Sequence, residues 1–481
     1  MRGNKLRKNG ITIVVSLCML FITLTSCSSI KVPPAGVDFE SEEYHSGMAE
    51  FNYDLSYLTK DGDVAYDTNI FKNVYKQIDD AKDFFIIDIF LYNQIYNRNF
   101  GKFPTFAENF SKKLIDKKKG DENFKIYLLT DENNRLYGSY DNPIFKELED
   151  NGIDVTMVEI YKLKDVYPWY SPIWRTFIEP FGNPIENGWI TNFYGPQYPK
   201  MAVRNILRAV NVKADHRKIF TSENSLILTS ANIHDASFYN SNTSFEVNGN
   251  IINESIKNAK LVGEFSNKDI HIEPDYQFPD YQDSEYKVKM ITEAKVGETL
   301  DRDIKNTKSG DKIQIGMYFL SDKEIIENLV DAANRGVEVR MVLDRNKDAF
   351  GMDTNGLPNK PVAKEMMKKT KNKVKIKWYF TNGEQFHTKY MKIEKSDGTV
   401  IINGGSSNFI RKNIRGFIMD ANLRIETNAD ASINKKMNEY FERIWSNEDG
   451  IFTVNYEDEP TTSGLKDLLF HIERFTEIGS F

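Results

Sequence analysis

Along most of the chain, apolar runs of seven to nine residues alternate with longer segments in which apolar positions recur every three to four. The runs 84–92, 124–130, 312–320 and 337–344 are rich in β-branched and aromatic residues and predict buried strands. The periodic segments 69–81, 106–118, 252–264, 296–307, 322–335 and 431–444 predict amphipathic helices. Strands alternating with helices in this way predict an α/β architecture with a largely parallel central sheet covered on both faces.

The pattern occurs twice. Tyr127-Leu128-Leu129-Thr130-Asp131 is echoed by Met341-Val342-Leu343-Asp344, and Pro143 to Leu148 by Pro361 to Met366. His216-Arg217-Lys218, with Glu223 five positions beyond the lysine and Thr229-Ser230-Ala231-Asn232 after it, is echoed by His387-Thr388-Lys389, Glu394 and Gly405-Ser406-Ser407-Asn408. Further on, Asn242 and Glu246 line up with Asn422 and Glu426. This ordered series predicts a monomer of two α/β sandwich repeats, residues 56–275 and 276–456, packed face to face with both histidine hairpins at the interface. Pro143 to His216 spans 73 residues where Pro361 to His387 spans 26, so the first repeat carries an insertion of about 47. Its centre, 161–200, holds three of the five Trp residues of the chain. Such a segment reads either as an aromatic dock at a lipid interface or as a cap packed on the core.

Composition adds compartment and charge. Arg2, Lys5, Arg7 and Lys8 precede an apolar run, 11–24, that is short for a membrane span and is followed by Leu24-Thr25-Ser26-Cys27. Small residues before a cysteine resemble a bacterial lipoprotein cleavage signal, so residues 1–26 are expected to be removed and Cys27 to be lipidated. That implies an extracytoplasmic protein anchored to the membrane of a bacterial cell envelope. Residues 27–55, with Pro33-Pro34-Ala35-Gly36, read as a tether, and 457–481 as a C-terminal tail helix. The formal net charge is −7, and −11 without the first 26 residues. An acidic body disfavours nucleic acid as a general partner, because phosphate neutralisation needs a basic surface.

In a strand, alternate side chains share a face, so His387 and Lys389 project together, as do His216 and Lys218. A nucleophile or acid, a fixed cation and a small polar loop at one end of a hairpin are the parts that phosphoryl chemistry requires. His-x-Lys, an acid five residues on, and Gly-Ser-x-Asn, present twice, resemble the phospholipase D superfamily. The stretches Asp344 to Asp348 and Asn355 to Asn359 also resemble bacterial members near the cardiolipin synthases.

The resemblance implies a phosphodiesterase or phosphatidyltransferase acting on phospholipid through a phosphohistidine, with His216 attacking and His387 serving as acid and base. It implies that Lys218 and Lys389 hold the non-bridging oxygens, helped by Ser230, Asn232, Ser406 and Asn408. It assigns Glu246 and Glu426 to orienting the imidazoles, and Glu223 and Glu394 to structural support. It implies no metal or cofactor, and the chain has no HExxH, Cys/His cluster or Walker loop. The sequence departs from the family in having Glu at both motif acids, usually Asp, and Thr229 for the first Gly of the first donor loop. An exported nuclease of the same superfamily and a catalytically degenerate surface binding module are the alternative readings.

Overall fold

The runs that alternate apolar with polar residues, or are apolar throughout, pair into two large sheets. The computed structural model describes residues 29–185, 188–349, 352–353, 356–459 and 464–476. Residues 1–26 and Cys27 lie outside them. The strands, in chain order, are β1 (Tyr44–Ser46), β2 (Ala49–Thr59), β3 (Val64–Asp67), β4 (Phe84–Ile89), β5 (Lys125–Thr130), β6 (Asp154–Met157), β7 (Lys218–Ser222), β8 (Leu226–Thr229) and β9 (Asn242–Val247). They continue as β10 (Tyr286–Thr292), β11 (Lys312–Met317), β12 (Glu338–Asp344), β13 (Lys375–Tyr379), β14 (Lys389–Glu394), β15 (Thr399–Gly405), β16 (Ala421–Asn428), β17 (Gly450–Ile451) and β18 (Thr453–Asn455).

The first sheet runs β17-β2-β9-β8-β7-β4-β5-β6, with β3 paired to β2. The second runs β1-β10-β16-β15-β14-β11-β12-β13-β18. From β2 and from β10 onward, the two sheets follow one plan. A long strand and three antiparallel neighbours lead to three parallel strands, β4-β5-β6 in one and β11-β12-β13 in the other. The sheets are therefore mixed rather than largely parallel. Helical crossovers join the parallel strands, whereas the histidine hairpins return through turns too short for anything but antiparallel pairing.

The outer helices cover the sheets with apolar stripes. Helix Ile70–Asp80 turns Val74 and Ile78 inward, and helix Lys323–Asn334 turns in Ile325, Ile326 and Leu329. Three of the four buried apolar clusters are large, and one of these is shared between the sheets. Phe51, Phe245 and Leu228 of the first sheet pack with Val288, Tyr390, Ile402 and Leu423 of the second. At their closest approach a Cβ on Gly404 would run into the Phe245 ring, so only glycine fits there.

Two boundaries differ from the sequence reading. Residues 27–55 were expected to form a tether, yet Val37, Ala49, Phe51 and Leu55 are buried. β1 pairs with β10 of the second sheet, and β2 pairs with β9 of the first. Proline and glycine near residue 35 mark a turn, but the alternating apolar positions after it find partners about 200 residues away, beyond the reach of local composition. The first unit thus begins by residue 49. At the other end, β17 crosses back to pair with β2 in the first sheet. Beyond it, helix Gly464–Thr476 lies on the second half through buried Phe470 and an Arg474–Glu365 ion pair of 2.8 Å.

The insertion holds helices Ser171–Phe177 and Val203–Ala209. Its aromatics divide: Tyr161, Tyr167 and Trp174 are buried, whereas Trp169, Phe177, Phe181, Trp189 and Phe193 are exposed. Among the described residues no helix is long and apolar enough to cross a membrane.

Candidate active site

β7 and β14 each begin at the motif lysine, and the histidine two residues earlier sits where the chain enters the interface between the sheets. Each entry point is tied to the opposite half. His216 N donates to Met419 O at 2.8 Å, and Met419 N to Ala214 O at 2.9 Å. His387 N donates to Ser241 O at 2.8 Å, and Ser241 N to Gln385 O at 2.9 Å. Two buried carboxylates fasten the residues just before the histidines: Asp131 Oδ2 accepts from Asp215 N at 2.8 Å, and Asp344 Oδ2 from Phe386 N at 2.6 Å.

These crossed backbones put each imidazole beside a side chain from the other half. His216 Nδ1 lies 2.9 Å from Asp420 Oδ1. His387 Nδ1 lies 3.1 Å from Asn242 Oδ1. An amide oxygen only accepts, so His387 carries its proton on Nδ1 and leaves Nε2 with a lone pair. Asp420 is held in turn by Ser406 Oγ and Asn413 Nδ2, each at 2.6 Å. Asn242 is held by Ser230 Oγ at 3.0 Å.

Asn242 and Asp420 occupy equivalent positions. Ser230 N donates to Thr243 O as Ser406 N does to Ala421 O. Thr243 N and Ala421 N return the bond to the serine hydroxyls.

Three sequence assignments are corrected here. Glu246 and Glu426 do not orient the histidines. Glu246 is four residues beyond Asn242, and Glu426 six beyond Asp420, about 13 and 20 Å along their strands. Glu246 instead faces a surface recess beside Lys76 and Ser225, and Glu426 bonds Arg424 at 3.2 Å. Alignment through Asn422 was two residues out because the loop from Ser406 to Asp420 is two residues longer than that from Ser230 to Asn242. Ser230 and Ser406, assigned to phosphate, each commit their single hydroxyl proton to Asn242 or Asp420.

The remaining motif residues stay close to the hairpins. Asn232 Oδ1 accepts from Leu91 N at 3.4 Å, and Asn408 Oδ1 is buried with no hydrogen-bond partner among the described residues. Glu223 accepts from Lys82 N at 2.6 Å, and Glu394 ties Lys392 and Asn438 at the far end of its hairpin. His234 is structural: Nδ1 meets Ser237 Oγ at 2.8 Å and Nε2 meets Ile95 O at 2.9 Å. Sequence reasoning missed Asp420, Asn413 and two aromatic walls. Phe90 packs 4.9 Å from the His216 ring, and Tyr318 5.1 Å from that of His387. The recurring aromatic at the end of β4 and of β11 is the signal that would have found the walls.

Burial governs the charges. It drives both imidazoles well below the usual histidine range, and Lys218 and Lys389 push each of them further down. Burial lowers Lys218 to about 7, and burial together with Lys218 takes Lys389 well below the ordinary lysine range. Asp420 is pushed up to about 7 by burial, opposed by Lys218 and the donors around it. Each ammonium donates to its own motif carbonyl, Lys218 to His216 O at 2.7 Å and Lys389 to His387 O at 2.9 Å. The arrangement is two neutral imidazoles beside two desolvated amines, and an anion placed between them would favour the protonated form of both amines.

Residues 300–445 match the family described as cardiolipin synthase, phospholipase D-like domain. The match contains His387, Lys389 and Asp420. That stretch, under a third of the chain, is similar to the phospholipase D-like family. Among solved structures it is similar to the phosphatidylserine synthase of Haemophilus influenzae Rd KW20, with 9% identity, 95% of this chain and 98% of that one covered, and a TM-score of 0.55. It is also matched by the polyphosphate kinase of Porphyromonas gingivalis, with 10% identity, 89% and 53% covered, and a TM-score of 0.46. A phospholipase D family member from Salmonella typhimurium, Nuc, has 19% identity over 35% of this chain and 98% of its own, with a TM-score of 0.25. The chain matches no curated protein. The chain shares the mixed α/β fold of the phosphatidylserine synthase over nearly its whole length.

Proposed function

We propose that this phospholipase D-like protein cleaves or transfers the phosphodiester of a phospholipid through a phosphohistidine on His216. The observation that carries the reading is the unequal support of the two imidazoles: a carboxylate stands behind His216 and a neutral amide behind His387. When His216 Nε2 bonds phosphorus, its ring becomes cationic, and Asp420 offsets that charge. The bond from phosphorus to the leaving alcohol oxygen breaks, and His387, protonated when the anionic substrate is bound, gives its Nε2 proton to that oxygen. Neutral His387 then takes a proton from water or an acceptor alcohol, whose oxygen attacks phosphorus as the P–N bond breaks. Lys218 and Lys389 hold the non-bridging oxygens through both steps.

The lipoprotein-like segment ending at Cys27 and the aromatic insertion support a phospholipid substrate and an anchored, extracytoplasmic location. The test is mass-spectrometric product analysis on phosphatidylglycerol and phosphatidylcholine vesicles in EDTA, with and without an added alcohol. Released headgroup or a new phosphatidyl alcohol is expected, with an acid-quenched phosphoryl adduct on His216. Turnover lost in chelator, or full activity in His216→Ala, sinks the proposal. Digestion of DNA or RNA at low salt with inert lipid would replace it with the nuclease reading.

A further inference from the structure

The apolar side chains that this protein leaves in water are concentrated on its insertion. Among the described residues, eight of the fourteen exposed large hydrophobic side chains fall between Trp169 and Val210. Trp189 is 72% exposed, Phe181 71%, Phe177 60%, Phe193 58% and Trp169 51%. They stand on a fixed base. Trp174 is buried against Tyr161 with ring centroids 4.7 Å apart, and Val166 and Tyr167 pack with Phe417 of the second half. An exposed aromatic set on a rigid support marks a surface made for a partner.

Two further observations indicate which partner. Residues 161–213 hold seven basic and three acidic side chains in a chain whose net charge is −7, with Arg175 and Lys213 engaged by Asp165 and Arg208 by Glu132. The described chain also begins here. Ser29 Oγ donates to Pro168 O at 3.1 Å, Ile30 N to Asp165 Oδ2 at 2.9 Å, and Asp165 N to Ile30 O at 2.8 Å. The described chain therefore enters the fold at the insertion, and Cys27 precedes Ser29 by two residues in the sequence. The same insertion comes within one side chain of the site. Phe193 and Tyr194 line a cavity of about 160 Å³ with Phe90, the ring that packs on His216.

We propose that the insertion docks on a bilayer of anionic phospholipid, on the leaflet that receives the N-terminal segment, so that the cavity walled by Phe90, Phe193 and Tyr194 lies at the membrane. Tryptophan and phenylalanine settle at the boundary between headgroups and acyl chains, and the basic excess holds them to an anionic surface. The catalytic consequence rests on the phospholipid reading above; the docking does not.

The experiment uses the full chain reconstituted in phosphatidylglycerol vesicles with brominated acyl chains, read by tryptophan fluorescence. Lipid bromine is expected to quench the protein. Replacing both exposed reporters, Trp169→Phe and Trp189→Phe, should remove at least about half of the quenchable signal, whereas Trp445→Phe leaves it unchanged. Phe177→Ser with Phe181→Ser, which keeps both reporters, should lower quenching about twofold or more. No quenching, or quenching indifferent to all these changes, overturns the proposal. Equal quenching in phosphatidylcholine overturns its anionic part. Turnover of a water-soluble phosphodiester is followed alongside. Quenching without turnover supports docking and removes the catalytic reading, whereas turnover without quenching removes docking alone.

Discussion

Asp420 bonds the Nδ1 of His216, so its removal has a distinctive kinetic signature. Asp420→Asn keeps the shape and the hydrogen-bond acceptor on Nδ1 but loses the charge that offsets the phosphoimidazolium. The expected result is a fall in kcat of about 10²-fold or more with KM little changed, measured on a soluble phosphodiester. Asn242→Gln, which displaces the amide behind His387, should slow both steps, because His387 protonates the leaving oxygen in the first and deprotonates the attacking water or alcohol in the second. The amines give a pH signature. Lys218 titrates near 7 in the free protein because burial disfavours its charge. kcat/KM, which reports free enzyme, is therefore expected to fall as pH rises through about 7. A bound phosphodiester favours the ammonium, so the fall in kcat should lie at higher pH. A pH profile in which both parameters break together counts against a phosphate between the lysines.

At the scale of elements, Gly404 leaves no room for a side chain against Phe245 of the other sheet. Gly404→Ala drives a methyl into that ring and is expected to destabilise the fold by about 1–3 kcal/mol in urea unfolding. Phe245→Leu in the same chain should recover part of the loss, which separates a steric cause from any effect on the nearby donor loop. The packing role of this glycine was not legible in the sequence. The strands and helices were legible because each carries its own period, and the two His-Lys pairs because they repeat. The groups that orient the histidines were not legible. Asn242 and Asp420 follow their serines by twelve and fourteen residues, and the bonds they make cross from one half to the other. No local pattern records a contact of that kind. The buried strand partners of β1 and β2 were hidden for the same reason, since Pro33 to Gly36 set the local tone and the pairing residues lie far along the chain.

For the molecule as a whole, the two halves are locked by exchange. β1 closes the second sheet, β17 closes on the first, and one apolar cluster serves both. Arg217, between His216 and Lys218, points to the opposite face and bonds Glu293 of the second half at 2.6 Å and Asn258 at 2.8 Å. Glu293 also accepts from Asp420 N at 3.3 Å. Arg217→Met strands Glu293 in the interior and is expected to cost about 3–5 kcal/mol, checked by denaturant midpoint. Because so much is shared, calorimetry should show one cooperative transition for both halves, and two resolved transitions would contradict this account.

The bridges from Met419 to His216 and from Ser241 to His387 carry a consequence for how such a chain can change over time. Each histidine takes its register from a strand encoded in the other half, so neither half is free to drift by itself. A one-residue slip at Met419 would turn Asp420 to the wrong side of its strand and disarm His216, although nothing in the His216 hairpin had altered. Damage to this protein is therefore best sought opposite the place where it is felt.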